Sequence, residues 1–86
     1  MNQSVDPKKF GLHPATKIEQ LDDTQFVIRI ERKSRIIMKD GEKILDKVST
    51  IKASIPDAVV SIATAAPVCS KTLLFLADHG IGIEYS

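Results

Sequence analysis

A chain of 86 residues has room for one small core, because a domain of this size buries only about 60 to 65% of the surface its unfolded chain exposes. Hydrophobic residues make up 43% and charged residues 27%, an ordinary globular balance that argues against a disordered chain, a fibrous repeat or a disulfide-held mini-protein. Twelve basic and eleven acidic side chains leave a net charge of +1, so no global field draws the chain to nucleic acid or an anionic membrane, and any such contact would have to be local.

A single cysteine rules out an internal disulfide, and the first fifteen residues hold no apolar signal-like run, which together point to a cytoplasmic protein. The longest nearly uncharged stretch, Ala58 to Ser70, is well short of the roughly 20 residues a membrane helix needs, so no membrane partner is expected.

Residues 1–14 are polar, carry Pro7, Gly11 and Pro14, and show no apolar repeat; they read as a flexible N-terminal arm or a strap over a single domain at 15–86. Thr16 to Leu21 and Gln25 to Glu31 read as two strands, and Asp22-Asp23-Thr24 between them suits a turn, since Asx side chains bond nearby amides; a hairpin is predicted. In the second strand Phe26, Ile28 and Ile30 fall on one face and Val27, Arg29 and Glu31 on the other, with Lys33 in phase with the second set.

Ser34 to Lys39 is too brief for periodicity to choose between a helical turn and a third strand. From Asp40 the period lengthens, and Ile44, Leu45, Val48, Ile51 and Ile55 line one side of an amphipathic helix, with Asp40 as N-cap and Pro56 closing it. Ala58 to Ala63 is a near-continuous, β-branched run that predicts a central strand covered on both faces. After Pro67, Val68 and Leu73 to Ala77 make a second apolar helix that stops at Gly80, and Ile81, Ile83 and Tyr85 alternate as a last strand. The fold class predicted is α/β: a single small domain in the order ββαβαβ, with a mixed sheet and two helices packed on it.

In open α/β sheets functional groups gather beyond the carboxyl ends of the parallel strands, which directs attention to the loops Glu31 to Lys39 and Thr64 to Ser70. Candidate ligand-binding residues are Arg32 and Arg35 on the first loop and Thr64, Ser70, Lys71 and Thr72 around the second. Amides and hydroxyls at the start of that helix would hold a phosphate or carboxylate. Ordinary helix capping is the commoner use of such residues, and no glycine-rich phosphate loop is present. Arg29, Arg32, Lys33, Arg35 and Lys39 form the one basic concentration, but with no Trp, one Tyr and three Phe the stacking platforms of single-strand binders are scarce, so nucleic acid is possible without being indicated.

Cys69 stands at the same helix start, where the dipole and Lys71 would favour thiolate; a packed small hydrophobe is the commoner role of a single cysteine. The segment Val59 to Tyr85, with Cys69-Ser70-Lys71 before an apolar helix, resembles the strand, cysteine and helix of the glutaredoxin family, though without a CxxC. That resemblance implies thiol-redox chemistry at Cys69.

A second resemblance covers about residues 22–85. Ile28 to Ser34, reading IRIERKS, resembles the E-x-K strand of the PD-(D/E)XK restriction-endonuclease-like superfamily, here Glu31-Arg32-Lys33. Asp22 or Asp23 stands in the acidic position upstream, and the superfamily's N-terminal helix is missing. The resemblance implies a phosphodiester-cleaving protein in which Asp22, Asp23 and Glu31 hold Mg or Mn and Glu31 and Lys33 are catalytic. The bland alternative is a solvated strand face with cross-strand ion pairs. The reading is a non-catalytic binding or accessory module without a cofactor, its partner an unknown protein or anionic ligand, with the nuclease-like and thiol-redox readings as alternatives and a homodimer through an open sheet edge as a further possibility.

Overall fold

The computed structural model describes residues 3–14 and 16–85; residues 1, 2, 15 and 86, which include the first two of the expected arm and its junction with the domain, lie outside the described residues. One sheet runs in the order β1 (Gln3–Val5), β2 (Lys17–Gln20), β3 (Gln25–Ile30), β4 (Val59–Thr64), β5 (Gly82–Tyr85). β1, β2 and β3 are antiparallel neighbours, whereas β3, β4 and β5 are parallel. The two parallel steps are made through α1 (Met38–Ser54) and α2 (Ser70–Asp78). The ββαβαβ order therefore stands, in a mixed sheet, with β1 added at one edge.

The N-terminal segment contributes that edge strand and then a 3-10 turn, Pro7–Phe10. Asp6 starts the turn by accepting the Lys8 amide at 3.0 Å, and Gly11 ends it at φ 75°, a left-handed conformation that costs a glycine little. Phe10 is thereby turned into the core, edge-on to Phe26 with ring centroids 5.9 Å apart.

Both parallel steps move the same way across the sheet, and right-handed crossovers then place both helices on the same face. The core accordingly lies between that face and the helices: Ile18, Phe26, Ile28, Val60 and Ile62 from the strands, Ile44, Val48 and Ile51 from α1, Leu76 from α2. This corrects the expectation that β4 is covered on both faces. No helix lies over its other face, where Val59 is 55% exposed and Ser61 half-buried, and only the small side chain of Ala63, 6% exposed, is covered there.

Two further corrections concern the helices. α1 begins at Met38, two residues before the expected N-cap, so Asp40 sits within the first turn and its Oδ2 accepts the Ile37 amide at 3.0 Å. In α2 only Thr72 and Leu76 are fully buried, and Leu74 is 68% exposed, because a nine-residue helix offers one narrow stripe to the sheet. The helix ends as the sequence suggests: Gly80 at φ 72° lets its own amide reach the Ala77 carbonyl and the Ile81 amide reach Leu76, returning the chain to the core at Ile81.

Candidate functional site

The loops that follow β3 and β4 are joined to each other. The Ile36 amide bonds the Pro67 carbonyl at 2.8 Å and the Cys69 amide bonds the Ile36 carbonyl at 2.9 Å, a single parallel bridge between Ile36 and Val68. Ser34 to Lys39, left open between strand, loop and helix, holds something of each: a loop, one bridge residue at Ile36, and then the first turn of α1 from Met38. Closer to the sheet, Thr64 pins the two loops. Its hydroxyl donates to the Ile30 carbonyl at 2.9 Å and accepts the Ala66 amide at 3.1 Å, and the side chain is 1% exposed. Thr64, expected to bind ligand, is committed to the fold.

Arg32 is committed in the same way. Its guanidinium reaches Asp40 Oδ1 and Oδ2 at 3.1 and 2.9 Å and also bonds the carbonyls of Ser34 and Arg35, so one side chain holds the first loop against the start of α1. Arg32 and then the Ile37 amide hold the Asp40 carboxyl below the usual carboxylate range. A folded-state pKa below the unfolded one means that this stabilisation is complete above the unfolded value, near 3.9, and is lost as pH falls through the lower folded value. Melting curves of the wild type and Asp40→Asn should therefore differ at neutral pH and converge between about pH 4 and pH 2; a constant difference over that range would show that the carboxylate charge plays no part.

On the face without helices, ion pairs run diagonally between β2 and β3. Arg29 gives two hydrogen bonds to Glu19 Oε2, at 3.1 and 2.9 Å, and Lys17 donates to Glu31 at 2.7 Å. The second pair is more than half exposed at both ends, so replacing Lys17 should hardly move stability. Lys17 does keep the Glu31 carboxyl below its ordinary pKa, first by its hydrogen bond and then by its charge, which leaves Glu31 ionised and paired. Lys17 and Glu19 were missed as partners in the sequence; the signal lay in the Lys-x-Glu of one strand facing the Arg-x-Glu of the next across a short turn.

The metal constellation expected from Asp22, Asp23 and Glu31 does not assemble. Asp22 and Asp23 occupy the turn before β3, and Glu31 follows its last residue, so the six residues of β3, about 17 Å of strand, lie between them. Among the described residues no group of three His, Cys, Asp or Glu side chains stands close enough to hold a metal. Lys33, expected on the same strand face as Glu31, lies beyond the end of β3 in an exposed bend.

What the rim does present is a shallow, open cleft of about 390 Å³ lined by Arg29, Ile30, Glu31, Arg32, Lys33, Ala63 and Ala65. Beyond it, at the start of α2, Ser70 and Lys71 are exposed, Thr72 is buried and Cys69 is half-buried as the N-cap. The amides of Lys71 and Thr72 pull the Cys69 thiol below its ordinary pKa, with Arg35 adding a smaller electrostatic contribution. No helix among the described residues is long and apolar enough to cross a membrane. No protein-family model matches the chain, and no curated protein or solved structure matches it either.

Proposed function

We propose that this chain is a non-catalytic binding or accessory module that takes an anionic ligand at the rim beyond the carboxyl ends of β3 and β4. The observation that carries this reading is the cleft itself, where Arg29, Arg32 and Lys33 outnumber one carboxylate, Glu31, over a floor of Ala63 and Ala65. Arg29 and Arg32 are held in ion pairs and give the site its shape, while Lys33 and, two residues on along the same loop, Arg35 are exposed and outside the ion pairs formed among the described residues. The nearby carboxylates, Glu19, Glu31 and Asp40, each hold a basic partner, an arrangement suited to recognition rather than to accepting and returning a proton.

A hydrogen bond to a charged group contributes about 1.5–3 kcal/mol, so two exposed cations set the scale of the effect. Tripolyphosphate titrated into labelled protein at low salt should give saturable amide shifts at residues 31–35 and 63–65. Lys33→Ala combined with Arg35→Ala should weaken the apparent affinity about tenfold or more. Shifts scattered over the surface, or an affinity the double substitution leaves unchanged, would remove the reading.

A further inference from the structure

The first amides of a helix have no carbonyl of their own to bond, and a Ser, Thr, Asp or Asn ordinarily accepts them from the cap position. In α2 that position belongs to Cys69, whose side chain closes no capping hydrogen bond although the amides of Lys71 and Thr72 face its sulfur. A thiol is a weak acceptor, whereas a thiolate is a full negative charge that would draw both amides into hydrogen bonds.

Thr72 supplies a separate observation. Its side chain is 0% exposed and its Oγ1 has no hydrogen-bond partner among the described residues, three positions after Cys69 on the first turn of α2, where it lies close enough to the sulfur to favour the thiolate. Packing fixes that position, because the Thr72 methyl lies over Gly41, 3.0 Å from where a β carbon on that glycine would stand. A buried hydroxyl is seldom left unpaired. An ionised Cys69 sulfur would offer it an acceptor. The bridge between Ile36 and Val68 brings Arg35 to the same place, and Cys69 remains accessible, half-buried and free of any disulfide.

We propose that Cys69 is a site of reversible S-thiolation by a small carboxylate-bearing disulfide. The Cys69 thiolate attacks one sulfur of the disulfide, the S–S bond breaks as the new mixed disulfide forms, and the electron pair leaves on the departing thiolate, which takes a proton from water. Cys69 is oxidised and the small disulfide reduced by one thiol equivalent each; a second thiol reverses the step. The positive charges of Arg35 and Lys71 suit the carboxylates of the incoming group.

The test uses the whole chain. The rate of alkylation by iodoacetamide as a function of pH should follow a thiol with a midpoint below the ordinary value near 8.5. Oxidised glutathione should add one adduct per chain that dithiothreitol removes. Thr72→Val, which deletes the hydroxyl and keeps the shape, should raise the midpoint and slow the reaction at pH 6.5 about threefold or more, with Thr72→Ser restoring it. Arg35→Ala, at an exposed position that cannot unfold the core, should move the midpoint in the same direction. An ordinary midpoint, no adduct, or a midpoint indifferent to Thr72→Val and Arg35→Ala would overturn the proposal.

Discussion

Ile62→Ala is expected to remove about a third or more of the stability of the chain. Ile62 is 1% exposed, sits on an interior strand between Ile28 of β3 and Ile83 of β5 in register, and belongs to the core on the helix-covered face. Removing three buried carbons there costs about 2–5 kcal/mol, through lost transfer energy and a cavity that a two-layer domain cannot easily collapse. A domain this small has only on the order of 5–10 kcal/mol to lose. Urea unfolding followed by helical circular dichroism should show the midpoint cut by a third or more with the slope unchanged, and Ile62→Val should lie about 1 kcal/mol below the wild type. A midpoint that Ile62→Ala leaves in place would mean that the strand order or the face assigned to β4 is wrong.

Phe10→Ala is expected to cost about 3–4 kcal/mol, a large effect for a residue in a segment that the sequence presents as an arm. The side chain is 7% exposed and meets Phe26 edge-on at an interplanar angle of 89°, on the same side of the sheet as α1. Such a pair adds about 0.5–1.5 kcal/mol beyond its buried area. Its loss should also release β1, which has three residues and pairs with β2 alone. Amide exchange read by NMR should speed up together at residues 3–5 and at their partners Ile18 to Gln20, while the amides of β4 keep their order relative to one another. A melting temperature unchanged by Phe10→Ala would show that the segment is detached from the domain in solution.

These two substitutions sit on opposite sides of what sequence reading reaches. Ile62 was visible: it belongs to an apolar, β-branched run whose length and flanking Pro56 and Pro67 mark a buried strand. Phe10 was not, because it is a lone aromatic among Pro7, Lys8, Lys9 and Gly11, with no neighbour at a helical or strand spacing to show which way it faces. The same distinction runs through the candidate site. The loops beyond β3 and β4 were found by position alone, yet the tasks of their residues were not. Thr64 and Arg32 turn inward to the Ile30 carbonyl and the Asp40 carboxylate, and Lys33, Arg35, Ser70 and Lys71 stay outside. Thr72, in a helix whose apolar residues looked like the buried set, is instead the most buried residue of that helix, since its place over Gly41 depends on how α2 crosses α1.

The E-x-K reading shows the limit most plainly. Asp22, Asp23, Glu31 and Lys33 lie within twelve residues of one another in sequence, and a motif treats that as nearness. A strand intervenes, however, and each residue of it carries the chain about 3.3 Å further away, while the hairpin register hands Glu31 to Lys17 and Arg29 to Glu19.

The sequence by itself determined the order and kind of the elements from β2 onward, because hydrophobic period, capping and the breaks at Pro56, Pro67 and Gly80 act within a few residues of where they are written. Only the tertiary structure decided that both helices share one face, that no helix lies over the other face of β4, that Phe10 enters the core, and that the loop carrying Arg35 is bridged to the segment that enters α2 at Cys69. Those outcomes rest on strand register and the direction of two crossovers, which couple residues far apart in the chain and leave no periodic trace in it.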